Sequence, residues 1–109
     1  MSFGDRRKPL RRISDKKRAE EAERRVVCEI VRRRDVYCQA RDVWPEVRCR
    51  WPLDVHERIP RSLWRAGYLE PDNCLLICRA HHDELERNDE TLRRAHELGL
   101  YGYSHERPT

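Results

Sequence analysis

Two sets of side chains in this sequence have the types and spacing that metal chemistry requires: Cys38, Cys49, Cys78 and His81, and His56, Glu57, Asn73, His82 and Glu86. Zinc takes four Cys or His ligands in a tetrahedron, usually as two close pairs, one of them at a helix start. Cys78 and His81 form one such pair. The partner pair available upstream is Cys38 and Cys49, separated by QARDVWPEVR, a longer loop than the usual two to four residues. Zn2+ on these four is the expectation, with a Cys38–Cys49 disulfide or unrelated buried thiols as the alternatives. Cys28 and Cys74 read as bystanders, Cys28 being the reserve ligand because it lies ten positions before Cys38.

The second set suits hydrolysis of a phosphodiester. That reaction needs a base to activate water, a cation to stabilise charge on the phosphate and leaving oxygen, and a rigid frame. His56 and Glu57 can supply ligand and base. His82 lies in the helix expected after Cys78, and neighbouring residues there diverge by about 100°. His81 can therefore serve zinc while His82 serves a second site. Glu86, four residues on, shares the His82 face and can add a carboxylate ligand to Mg2+ or Mn2+.

These groups need elements to hold them, and the pattern is that of an α+β chain. Residues 1–14 read as a flexible basic leader, and Ser14 can cap a helix running from Asp15 to about Arg34. Ala19, Ala22, Val26 and Ile30 recur at helical spacing, with Val27 and Val31 on one flank, and mark its expected buried face. Glu20 with Arg24, and Glu21 with Arg25, are pairs four apart. Residues 36–59 hold short apolar clusters broken by Pro45 and Pro52, which predicts two brief strands in a hairpin. Arg61 to Asp72 is expected as a loop, Cys74 to Ile77 as a strand, and Arg79 to about Arg87 as a helix. A last helix from about Asp89 to Leu98 should stop at Gly99. The expected organisation is one domain over 15–109: helix 15–34, core 36–87, and a C-terminal helix and tail 88–109.

Bulk properties narrow the function classes. Charged residues make up 40% of the chain, against about 25% in ordinary globular proteins, so the core is small and a structural metal would help it fold. No run is apolar enough for a membrane span, and the first residues are too polar for a secretory signal. Five cysteines is an odd count, and with no export signal metal ligation is favoured over disulfides, in a cytoplasmic protein. Residues 1–35 carry 13 Lys/Arg against 7 Asp/Glu, a net charge of +6. A polyanion such as DNA would be drawn to that end. Lys16, Lys17, Arg24 and Arg25 on the helix, and Arg58 and Arg61 beside the candidate site, are the expected phosphate contacts. Trp44, Trp51 and Trp64 are expected as core packing ahead of base stacking.

With these residues placed, the chain resembles the HNH endonucleases of bacteria and their phages. The resemblance covers the basic KPLRR leader and helix, the cysteine segment, VHERIPRS, PDNCLLICRAHH and the closing ETLRRAHELGLYGYS. It implies a small beta-beta-alpha-metal (His-Me finger) core with a structural zinc, preceded by a long basic helix. Asn73 would brace the hairpin by hydrogen bonds and His82 would bind the catalytic metal. Counted from Pro60, His56 falls at the metal-ligand position and Glu57 at the general-base position; a register slip of one would make His56 the base. The implied activity is divalent-metal-dependent cleavage of DNA with no organic cofactor, in a bacterial or phage-infected cell. Two other readings stay open: a zinc-stapled nucleic-acid-binding module without catalysis, and a phage packaging accessory active only with a terminase partner.

Overall fold

The computed structural model describes residues 14–107; the leader, apart from Ser14, lies outside them. The chain runs as helix α1 (Asp15–Asp35), strand β1 (Leu53–Glu57), two short 3-10 turns (Arg65–Leu69 and Pro71–Asn73), strand β2 (Cys74–Cys78) and helices α2 (Arg79–Leu85) and α3 (Asp89–Glu97). A final 3-10 turn covers Ser104–Glu106. This is a small α+β arrangement built on one two-stranded antiparallel sheet.

Among the described residues, the hairpin expected within 36–59 does not form. β1 pairs instead with β2, in the register Leu53↔Cys78 through His56↔Leu75 to Glu57↔Cys74. The reason is chemical. Residues before Pro52 are polar and turn-rich, so they offer β1 no extended apolar partner, whereas CLLIC is buried on both faces. The segment between α1 and β1 instead forms turns, pinned where the Gln39 N–H donates to the Leu76 carbonyl at 2.8 Å.

Strand alternation divides the core. Cys74 and Leu76 face α1, packing with Val27 and Val31. Ile77 and Cys78 join Cys38, Ala40, Trp44, Leu85, Ala95 and Leu100 in the larger cluster beside α2 and α3. Opposite residues of an antiparallel pair share a face, so His56, opposite Leu75, lies on the α2 side. Glu57, one residue on, turns toward α1.

α1 begins where expected, the Ser14 hydroxyl accepting from the Lys17 N–H at 3.1 Å. Its buried face is only the Val27 and Val31 flank of the expected one. Val27 and Val31 are buried, while Val26 is 57% and Ile30 44% exposed. The polar side chains on the inner face explain the rotation. Arg24 donates to the Tyr68 carbonyl at 2.6 Å, Glu20 accepts from the Tyr68 hydroxyl, and Asp35 accepts from the Leu76 N–H at 2.8 Å. Helix periodicity ranks apolar residues alone and cannot see these anchors. The Glu20–Arg24 pair is accordingly replaced by contacts to the rest of the fold.

α3 ends as the sequence predicts, and the ending matters. Gly99 has φ +76°, its N–H donates to the His96 carbonyl at 3.1 Å, and the Leu100 N–H donates to the Ala95 carbonyl at 2.9 Å. This is the paired hydrogen bonding of a Schellman turn, which needs a left-handed residue that glycine supplies without steric cost. The turn sends Leu100 back across β1. No helix among the described residues is long and apolar enough to cross a membrane.

Candidate metal centre and adjoining histidine pocket

Cys38, Cys49, Cys78 and His81 converge, their ligand atoms all within 4.8 Å of one another. All five cysteines are free thiols, so a Cys38–Cys49 disulfide is ruled out in this structure. His81 Nδ1 lies 3.6 Å from Cys38 Sγ, 3.6 Å from Cys49 Sγ and 3.1 Å from Cys78 Sγ. A tetrahedral ion about 2.3 Å from sulfur and about 2.0 Å from nitrogen sets sulfur–nitrogen edges at roughly 3.6 Å. The group could therefore hold a metal ion.

Surrounding hydrogen bonds prepare it. His81 is fully buried and its Nε2 donates to the Trp44 carbonyl at 2.8 Å, which leaves the Nδ1 lone pair facing the three sulfurs. The Cys78 N–H donates to Cys38 Sγ at 3.2 Å, and the His81 N–H donates to Cys78 Sγ at 3.4 Å. Cys78 is the N-cap of α2. Burial pushes its thiol up, but hydrogen bonding, the His81 backbone N–H foremost, outweighs this and brings it down to about 6. Cys49 is pushed up to about 12, by burial first and then by the neighbouring sulfurs. Three thiolates repel one another unless a cation sits among them, and a bound cation would deprotonate all three.

Cys74 is buried against α1 and outside the cluster, and Cys28 is half-buried on α1, so both are bystanders to it. Trp44 packs in the core and also supplies the carbonyl that orients His81. Trp51 departs from the expected core role, being 78% exposed.

On the other side of His81, the helix turn places His82 toward β1. A small cavity of about 180 Å³ is lined by His56, Glu57, Pro60, Arg61, His82, Leu85, Glu86 and Tyr101. The His56 and His82 rings stand edge-to-face with centroids 5.4 Å apart. Each has one nitrogen engaged away from the other: His56 Nε2 donates to the Leu100 carbonyl at 2.8 Å, and His82 Nδ1 sits 3.3 Å from Asp54 Oδ2. Asp54 is also held by Arg79, at 3.1 Å. Burial pushes the His56 imidazolium down to about 4, against the opposing pull of its Leu100 hydrogen bond, so the ring is neutral at pH 7 with Nδ1 carrying the lone pair.

Known proteins add nothing to this geometry. No family model matches the chain, and neither a curated protein nor a solved structure does.

Asn73 is 1% exposed and ties the end of β1 to the following turns. Its Oδ1 accepts from the Ile59 N–H at 3.0 Å, and its Nδ2 donates to the Ile59 and Gly67 carbonyls at 3.1 and 3.2 Å. Gly67 is needed for the close approach, since a Cβ there would lie 2.6 Å from Asn73 Nδ2 and 2.9 Å from Trp64. The clasp fixes the chain just after His56 and Glu57.

The remaining candidates divide. Glu57 accepts from Arg61 at 2.7 Å and from Arg24 at 3.5 Å, one guanidinium on each carboxylate oxygen. Glu86 accepts from the Tyr101 hydroxyl. Lys16, Lys17 and Arg25 are exposed on α1. Arg24 is not free for phosphate: it is 19% exposed and turned inward onto Tyr68, Val55 and Glu57. Arg58 spends its Nε on the Gly99 carbonyl at 2.6 Å, and Arg61 also stacks over Tyr68.

Three participants escaped the sequence reading. Asp54 was legible in principle, since it sits two residues before His56 in a strand and so shares its face. The Leu100 carbonyl had no signal, because a backbone atom is brought there only by the turn after α3. Tyr101 follows from that same turn.

Proposed function

We propose that this protein is a divalent-metal-dependent DNA endonuclease of the HNH type, with zinc in the Cys38, Cys49, Cys78 and His81 group holding the scaffold. One observation carries the reading: His56 and His82 face each other across a cavity, each with its other ring nitrogen already engaged. Metal-bound histidines characteristically have that second nitrogen hydrogen-bonded to a carbonyl or carboxylate, which fixes tautomer and ring orientation. Two imidazoles on one ion at about 2.1 Å put their ring centres roughly 5 Å apart, close to the 5.4 Å observed.

In this mechanism His56 and His82 would hold Mg2+ or Mn2+, with the Glu86 carboxylate in the same pocket as the further protein ligand. The metal, when bound, supplies positive charge against the scissile phosphate and the leaving oxygen. Glu57, held between Arg24 and Arg61 at the pocket's edge, takes the proton from the attacking water. Asn73 keeps the strand end in place, and Arg58, Arg61, Lys16, Lys17 and Arg25 attract the phosphate backbone.

The test is plasmid nicking by purified protein in Mg2+ or Mn2+, beside a His82→Ala variant. His82→Ala should lose nicking by at least about a hundredfold, the scale for losing a metal ligand's second-shell support or more. Equal nicking by the two proteins would sink the assignment.

A second reading has its own observation. Both Glu57 oxygens are occupied by guanidiniums, so neither is free to take a proton from a water. A zinc-stapled nucleic-acid-binding module without catalysis fits that arrangement. Salt-sensitive DNA binding with no cleavage in any divalent metal would favour it, especially if Glu57→His conferred activity.

A further inference from the structure

The face of α1 that its sequence marks as apolar is the one that the described residues leave uncovered. Val26 is 57% and Ile30 44% exposed, and Ala19 and Ala22 on the same stripe are exposed as well. The stripe is flanked by Glu23 toward the N-terminal end and, toward the C-terminal end, by Arg33, whose exposed guanidinium also reaches Glu29 of its own helix at 2.5 Å. That distribution is self-complementary when reversed. A two-fold axis through the level of residue 28 sets Val26 of one chain against Ile30 of the other and brings Glu23 beside the partner's Arg33.

We propose that α1 pairs antiparallel with α1 of a second copy of this chain. The four branched side chains Val26 and Ile30 from both copies form the centre, and the two symmetry-related Glu23–Arg33 contacts fix direction and register. Ala22, beside this centre, is small enough to let the helices approach. A parallel arrangement would set Glu23 against Glu23 and Arg33 against Arg33, so charge selects the antiparallel one. DNA is the competing occupant because α1 is basic, but the centre of the stripe is aliphatic, and phosphate would be held by the arginines beside it and not by Val26 and Ile30. The pairing leaves the face bearing Val27 and Val31 on the sheet undisturbed, and it holds whether or not the histidine pocket is catalytic.

Sedimentation velocity over a concentration series tests it on the whole chain. The wild type should pass from monomer to dimer with a Kd of about 10–100 μM, as a small interface implies. Val26→Glu with Ile30→Glu should remain monomeric to the highest concentration, and because both positions are exposed its circular dichroism and metal content should match wild type. Glu23→Arg alone should weaken the dimer by at least about tenfold, and Glu23→Arg with Arg33→Glu should restore it, since the charges again oppose. A wild type that stays monomeric throughout would overturn the proposal. So would dimerisation unaffected by Val26→Glu with Ile30→Glu, or a charge-reversed double variant no better than Glu23→Arg.

Discussion

Removing metal from the Cys38, Cys49, Cys78 and His81 group is expected to unfold everything after α1. The four ligands come from the turns after α1, the approach to β1, the end of β2 and the first turn of α2. They therefore join segments that the two-stranded sheet alone cannot hold. Two strands with a small core are marginal in water. A structural zinc contributes about 10–16 kcal/mol of apparent binding free energy at pH 7, as large as the whole stability of an ordinary domain, about 5–15 kcal/mol. Chelation should abolish the cooperative thermal transition, and one equivalent of Zn2+ should restore it. Cys78→Ser should copy the chelated state, because it removes a sulfur of the cluster while a serine can still cap α2. Retention of the full transition by metal-free protein would show that the cluster is not structural.

The second large effect separates the two adjacent residues whose roles the sequence leaves open. At saturating Mg2+ or Mn2+, Glu57→Gln should lower single-turnover cleavage by about 10²–10⁴-fold, the usual scale of general-base catalysis. Its half-saturating metal concentration should stay near wild type. His56→Ala should instead raise that concentration, because it removes a ligand, and excess metal should recover part of the rate. The geometry behind the split is strand alternation, which sends His56 to His82 and Glu57 to Arg24. The opposite pattern, metal affinity following Glu57 and rate following His56, would exchange the roles.

Much of the site was legible because its signals are local. The three-residue step from Cys78 to His81 and the 100° divergence of His81 and His82 depend only on helix geometry, and both describe α2 as it stands. The stop at Gly99 is equally local, resting on one left-handed residue. What could not be read is long-range. The partner of β1 was misplaced because pairing depends on which distant segment is buried on both faces, and CLLIC meets that condition where the residues before Pro52 do not. The rotation of α1 was hidden for a related reason: Arg24, Glu20 and Asp35, charged residues that periodicity assigns to solvent, anchor its inner face. Arg24 shows the functional consequence, since a residue expected to bind phosphate instead holds Glu57.

The most direct test of the hydrolytic pocket is to locate the second metal. Crystals grown with Mn2+ and a DNA duplex, with anomalous scattering recorded at the manganese and zinc edges, distinguish the two ions by position. The account predicts zinc among Cys38, Cys49, Cys78 and His81, and manganese about 2.2 Å from ring nitrogens of His56 and His82. Manganese touching neither His56 nor His82 would contradict it.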